Sequence, residues 1–181
     1  TKNTDKEQFM FGLLMNKVGP YVAIMNRRYI GPVANVGAAK MAVADDKWQG
    51  TVQDFLRKAG AVVIELDASP GLRWEINEVV STVPPRKVLL IIPRTNDAYE
   101  KAIGLVGGLF PKGLPVVQEV SSRLVMFLDD WTPVSLRYPA GSSQVIREVM
   151  AMRRPSRDIE ILSVEFMKPF FNGLGVQVSL S

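Results

Sequence analysis

The chain of 181 residues carries 22 Lys and Arg against 18 Asp and Glu, a net charge of +4, with 47% hydrophobic and 22% charged residues. That length fits one domain and that composition can bury a core; the modest positive excess lacks the dense basic stripe of a nucleic-acid reader, so no nucleic-acid partner is expected. There is no Cys and no His, which excludes disulfides, thiolate nucleophiles, Cys-based zinc sites, Ser-His and Cys-His catalysis and the usual zinc-hydrolase ligands.

Thr4-Asp5-Lys6-Glu7 forms a capping box, followed by Phe9, Met10, Leu13 and Leu14 at helical spacing. Gly19-Pro20 ends this helix, and Tyr21 to Met25 reads as a first strand. Asn26 to Ala44 is then a long connection with Gly31-Pro32, Gly37 and a short extra strand at Met41 to Ala44. It exceeds the roughly 2–6 residues usual between strand and helix, and loops of that length are often functional. Asp46 and Gln49 open a helix whose Trp48, Val52, Phe55, Leu56 and Ala59 form an apolar stripe.

Ala61 to Leu66 is the second main strand, and a helix from Pro70 to Ser81 follows, opened by Ser69 and Pro70. Its buried stripe runs through Leu72, Ile76, Val79 and Val80, and Pro84-Pro85 closes it. Lys87 to Ile92 has the continuous apolar pattern of a strand buried on both faces. Thr95 or Asn96 caps the next helix, which runs through Ala102, Ile103, Val106 and Leu109. After a loop at Pro111 to Pro115, Arg123 to Leu128 reads as a strand, Asp129-Asp130-Trp131-Thr132 as a turn and Val134 to Tyr138 as a shorter strand. Gly141-Ser142-Ser143 opens a last helix with Val145, Ile146, Val149 and Met150 buried.

Residues 1–152 thus read as a single α/β domain and 153–181 as a C-terminal extension, with an edge strand at Ile159 to Phe166 and a loosely held tail from Met167. Strands alternating with helices imply right-handed parallel units. The expected architecture is a three-layer α/β sandwich with a mostly parallel sheet of about five strands. Tyr21–Met25, Ala61–Leu66, Val88–Ile92 and Leu124–Leu128 are its expected neighbours. No apolar run approaches the roughly 20 residues of a membrane span. The first residue is Thr1 rather than Met, so the expectation is a soluble piece of a longer parent, with any membrane attachment in the missing parts.

Parallel sheets bind ligands outside the carboxyl ends of their strands. Those ends are read as Asn26-Arg27-Arg28, Asp67-Ala68-Ser69, Pro93-Arg94-Thr95-Asn96 and Asp129-Asp130. Arg27, Arg28 and Arg94 supply positive charge, and helix N-termini at Ser69 and Thr95 supply amides, a combination suited to an anionic small molecule or nucleotide. The long Asn26 to Ala44 loop is expected to border the same edge. Strand-end loops are also polar in any such fold. Neither GxxxxGK[ST] nor GxGxxG occurs, so a conventional NTPase or dinucleotide oxidoreductase is not expected, and no cofactor is assigned.

Glu75, beside Trp74, is the candidate catalytic residue: half-buried, it would serve as a base or stabilise a developing cation. The competing reading is a helix carboxylate favoured by the N-terminal dipole. Its place one residue before Ile76 and three after Leu72 puts it at the margin of the buried stripe. Asp45-Asp46 read as a helix cap and Asp129-Asp130 as a turn, so no metal site is assigned. Arg153-Arg154-Pro155-Ser156-Arg157 is a solvated run or a contact for anionic lipid.

Trp48, Val52 and Ala59, the strand AVVIEL, the run Ser69-Pro70-Gly71-Leu72-Arg73-Trp74-Glu75-Ile76 and the strand Lys87 to Pro93 together resemble a TIR-like domain. The chain also resembles the soluble cytosolic segments of uncharacterised bacterial membrane proteins. Gly19 to Met25, Gly37 to Lys40 and Asp45 to Trp48 carry that likeness. The resemblance covers roughly residues 5–138 and implies a flavodoxin-like or TIR-like sheet, a cytoplasmic location, and a ligand-sensing or protein-interaction role, alone or as a homo-oligomer. In TIR domains that cleave NAD, the helix Glu is catalytic, and it maps to Glu75. The Phe-Ile-Ser-Tyr-type opening of many TIR domains is absent.

Overall fold

Val88, Leu89 and Leu90 are each 0% exposed, so the strand they form has both faces covered and every backbone group in need of a partner. The computed structural model describes residues 15–16, 18–20, 22–26, 39–43, 47–69, 71–93, 95–119, 122–137 and 157–178. The described strands are β1 (Val22–Asn26), β2 (Ala39–Val43), β3 (Val62–Glu65), β4 (Val88–Ile91), β5 (Leu124–Phe127) and β6 (Pro133–Ser135). The helices are α1 (Trp48–Lys58), α2 (Leu72–Thr82), α3 (Asn96–Val106) and α4 (Arg157–Gly173). The protein is an α/β fold.

Two compact units divide the chain: Thr1–Val52, Tyr138–Lys168 and Val176–Ser181 in one, Gln53–Arg137 and Pro169–Gly175 in the other. In the first, β1 and β2 pair in parallel, Val22 opposite Ala39 through Asn26 opposite Val43. A parallel pair needs a crossover of roughly a dozen residues, which accounts for much of the length of the connection read as a loop. Its extra strand is real and starts earlier than Met41. The first expected strand is therefore paired with β2 in a two-stranded sheet, while β3–β6 form a separate sheet. The remainder of that connection, Arg27 and Arg28 included, lies outside the described residues, as do the opening capping box and the helix expected after Gly141.

The second unit holds a four-stranded sheet in the order β3-β4-β5-β6. Only β3 and β4 are parallel, with Val62 opposite Val88 and Glu65 opposite Ile91. β5 runs antiparallel to β4, and β6 antiparallel to β5. The sheet is mixed, and the expectation of a mostly parallel one is corrected. The cause lies between α3 and β5. A parallel β5 would start near the end of α3. Instead the chain passes through a 3-10 turn at Gly107–Leu109 and a second at Val117–Glu119, returning along α3. Tyr99 of α3 is buried and donates its hydroxyl hydrogen bond to the Pro115 carbonyl at 2.8 Å, which ties that return in place. β5 then starts at the edge where β4 ends.

One face of this sheet carries the main core. Ile64, Val88, Leu90, Val125 and Phe127 meet Leu72, Ile76 and Val79 of α2 and Tyr99, Ala102 and Val106 of α3. Leu89 and Met126, opposite each other in register, point to the other face and are buried too. Each side chain of this size contributes about 1.5–3 kcal/mol on burial.

β5 and β6 are joined by residues 128–132, in which Leu128 and Thr132 flank the tip Asp129-Asp130-Trp131. Trp131 N–H donates to the Leu128 carbonyl and Leu128 N–H to the Thr132 carbonyl, both at 3.0 Å. This is a turn closed by a left-handed residue, a place where glycine is usual. Here Trp131 occupies it with φ 63°. Its ring explains the choice: it meets Phe127 edge-on at 5.0 Å and Phe110 at 5.9 Å, and those two rings stack at 5.2 Å.

The C-terminal segment is also corrected. Arg157–Gly173 is a helix with Pro169 inside it, in place of an edge strand and a loose tail. Val164, Met167 and Phe171 recur at helical spacing and are buried, as are Phe166 and Phe170.

Two stability predictions follow from this packing. Phe170→Ala should destabilise the protein by about 3–5 kcal/mol, read as a fall in the urea midpoint, whereas an unheld tail would give no shift. For Trp131→Gly, relief of the left-handed backbone returns about 1–2 kcal/mol and loss of the half-buried ring costs about 3 kcal/mol. The expected net is a loss of about 1–2 kcal/mol; a gain in melting temperature would show that strain outweighs the aromatic contacts.

Candidate functional site

The parallel direction of β3 and β4 brings their carboxyl ends to one edge of the sheet. Leu66 N–H donates to the Ile91 carbonyl and Ile92 N–H to the Arg123 carbonyl, both at 2.8 Å. Beyond β3 come Asp67, Ala68 and Ser69, all exposed. Beyond β4 comes Thr95. Because β5 is reversed, its amino end, Ser122 and Arg123, lies at this edge, with the end of β6 beside it: Ser122 N–H donates to Ser135 Oγ at 3.3 Å and Leu136 N–H to the Leu124 carbonyl at 2.9 Å.

Both helices that follow these strands start here. Thr95 caps α3, its side chain accepting from Ala98 N–H at 3.4 Å, as expected from its hydroxyl. α2 begins differently from the sequence reading. Its N-cap is Gly71, with no side-chain cap. Ser69 uses its backbone instead: its N–H donates to Asp67 Oδ1 at 2.8 Å and its carbonyl accepts from Leu72 N–H at 3.3 Å. The Asp67 carboxylate thus makes the local turn, a role typical of Asp. Pro70 lies outside the described residues.

With the helix starting at Leu72, Glu75 sits in its first turn, and its N–H donates to the Gly71 carbonyl at 3.1 Å. Leu72, Ile76 and Val79 are buried, and Glu75 is half-buried at the margin of that stripe. A helix N-terminus favours a carboxylate. Burial and the nearby Asp67 charge outweigh it and raise the Glu75 pKa above its ordinary 4.5. Trp74 is also half-buried, while its neighbour Arg73 reaches across to the Leu105 carbonyl at 3.2 Å and ties α2 to α3.

Of the expected site residues, Ser69 lies just beyond β3, and Trp74 and Glu75 lie in the first turn of α2. Arg27, Arg28 and Arg94 lie outside the described residues. Asp129 and Asp130 leave the group, since the reversal of β5 carries its carboxyl end to the opposite edge. There Asp129 pairs with Arg86, and Asp130 pairs with Lys112, which also donates to Thr132 Oγ1 at 2.9 Å. Hydrogen bonds from Lys112 and Thr132 hold the Asp130 pKa well below the usual carboxylate range. These two acids secure the β5–β6 hairpin.

Sequence reading missed Arg123. Its Nε donates to the Ile92 carbonyl at 2.9 Å, and its Nη2 lies 3.6 Å from Glu65 Oε1. It joins the ends of β3, β4 and β5 across the candidate edge. The signal was its position as the residue before the apolar run Leu124–Phe127, legible only once that run is known to be reversed.

Among the described residues, no group of three or more Asp or Glu is placed to hold a metal ion. No helix among them is long and apolar enough to cross a membrane. No protein-family model matches the chain, and no curated protein and no solved structure matches it.

The raised Glu75 pKa sets a pH signature. The folded state holds the Glu75 proton more tightly than the unfolded chain. Stability from this group is therefore present below the unfolded pKa and is lost as pH rises through the folded one. Glu75→Gln should match the native protein near pH 4 and exceed its melting temperature at pH 7–8. A variant less stable than native at neutral pH would show that the carboxylate is held by a favourable partner.

Proposed function

We propose that this protein is a non-catalytic ligand-sensing or protein-interaction module that uses the carboxyl edge of β3 and β4, and that it serves as the cytoplasmic part of a membrane-anchored bacterial protein. The observation that carries the reading is the convergence at that edge of two helix N-termini, Leu72 of α2 and Asn96 of α3, beside Ser69, Thr95 and Arg123. Helix N-termini and the neighbouring Ser69 and Thr95 hydroxyls suit an anionic small molecule or a nucleotide. The parallel β3–β4 pair with its α2 crossover supports the α/β part of this reading, and its flavodoxin-like or TIR-like part rests on the sequence motifs from Trp48 to Pro93 alone. Homo-oligomerisation belongs to the same reading.

A second reading, NAD cleavage of the TIR type with Glu75 as the catalytic residue, draws on one observation. Glu75 is half-buried with a raised pKa at the same edge, where such residues concentrate in enzymes. It stands second because fold resemblance does not confer activity and because a chain without His or Cys offers few groups to share the proton work.

A thermal-shift titration with nucleotides separates the readings. The native protein should gain about 2.7 kcal/mol at one hundred times the dissociation constant. Thr95→Asp keeps a good helix cap but sets a negative charge at the edge, and should abolish the shift. No shift with any nucleotide would overturn the anionic-ligand reading. NAD turnover by the native protein that disappears in Glu75→Ala would overturn the non-catalytic one.

A further inference from the structure

We draw no further inference here: the strongest candidate, the Asp67 and Glu75 carboxylates at the carboxyl edge of β3 and β4, belongs to the site already described and has beside it no second observation that points to a ligand.

Discussion

Burial of β4 on both faces is the constraint on which the rest of the second unit depends. A strand without solvent on either face must satisfy its backbone groups through neighbours on both sides. β3 supplies them in parallel and β5 in antiparallel register. The parallel side requires a crossover, which α2 provides, and so places a strand end and a helix start at one edge. The antiparallel side requires the chain to travel back along α3 before pairing. The Tyr99 hydroxyl on the Pro115 carbonyl anchors that return. Burial of Tyr99 also pushes its phenol up to about 12.

The reversal of β5 sorts the charged residues between two edges with different roles. At the amino edge of β4, Arg86 with Asp129 and Lys112 with Asp130 are solvent-exposed pairs, of a kind that contributes little stability individually. They act with the Phe110, Phe127 and Trp131 rings, whose packing overcomes the left-handed backbone at Trp131. At the carboxyl edge one acid is placed at a cost. Glu75 is half-buried beside Asp67, against its own desolvation.

Arg123 sits at the start of β5. It belongs to the strand that reverses, and its guanidinium meets the Ile92 carbonyl and approaches Glu65. It therefore braces the ends of three strands at the edge where α2 and α3 begin. Ser69, Thr95 and Glu75 are held relative to one another by this frame, since each follows directly from a strand end or the first turn of a helix.

Local pattern in the sequence determined the existence and type of β3, α2, β4 and α3. The apolar strand runs, the helical stripe of Leu72, Ile76 and Val79, the Pro84-Pro85 stop and the Thr95 hydroxyl act within a few residues of where they are written. It also placed Glu75 at the margin of its stripe, because helical periodicity alone fixes that angle. Strand direction was decided only by tertiary structure. Leu124–Phe127 reads the same whether parallel or antiparallel, and the choice rests on the route of the chain along α3 and on one distant hydrogen bond. For the same reason Asp129 and Asp130 moved to the opposite edge and Arg123 took their place. The helical state of Arg157–Gly173 was hidden by Pro169 and by an imperfect alternation from Ile159 to Phe166. It is settled by burial of Val164, Met167, Phe170 and Phe171.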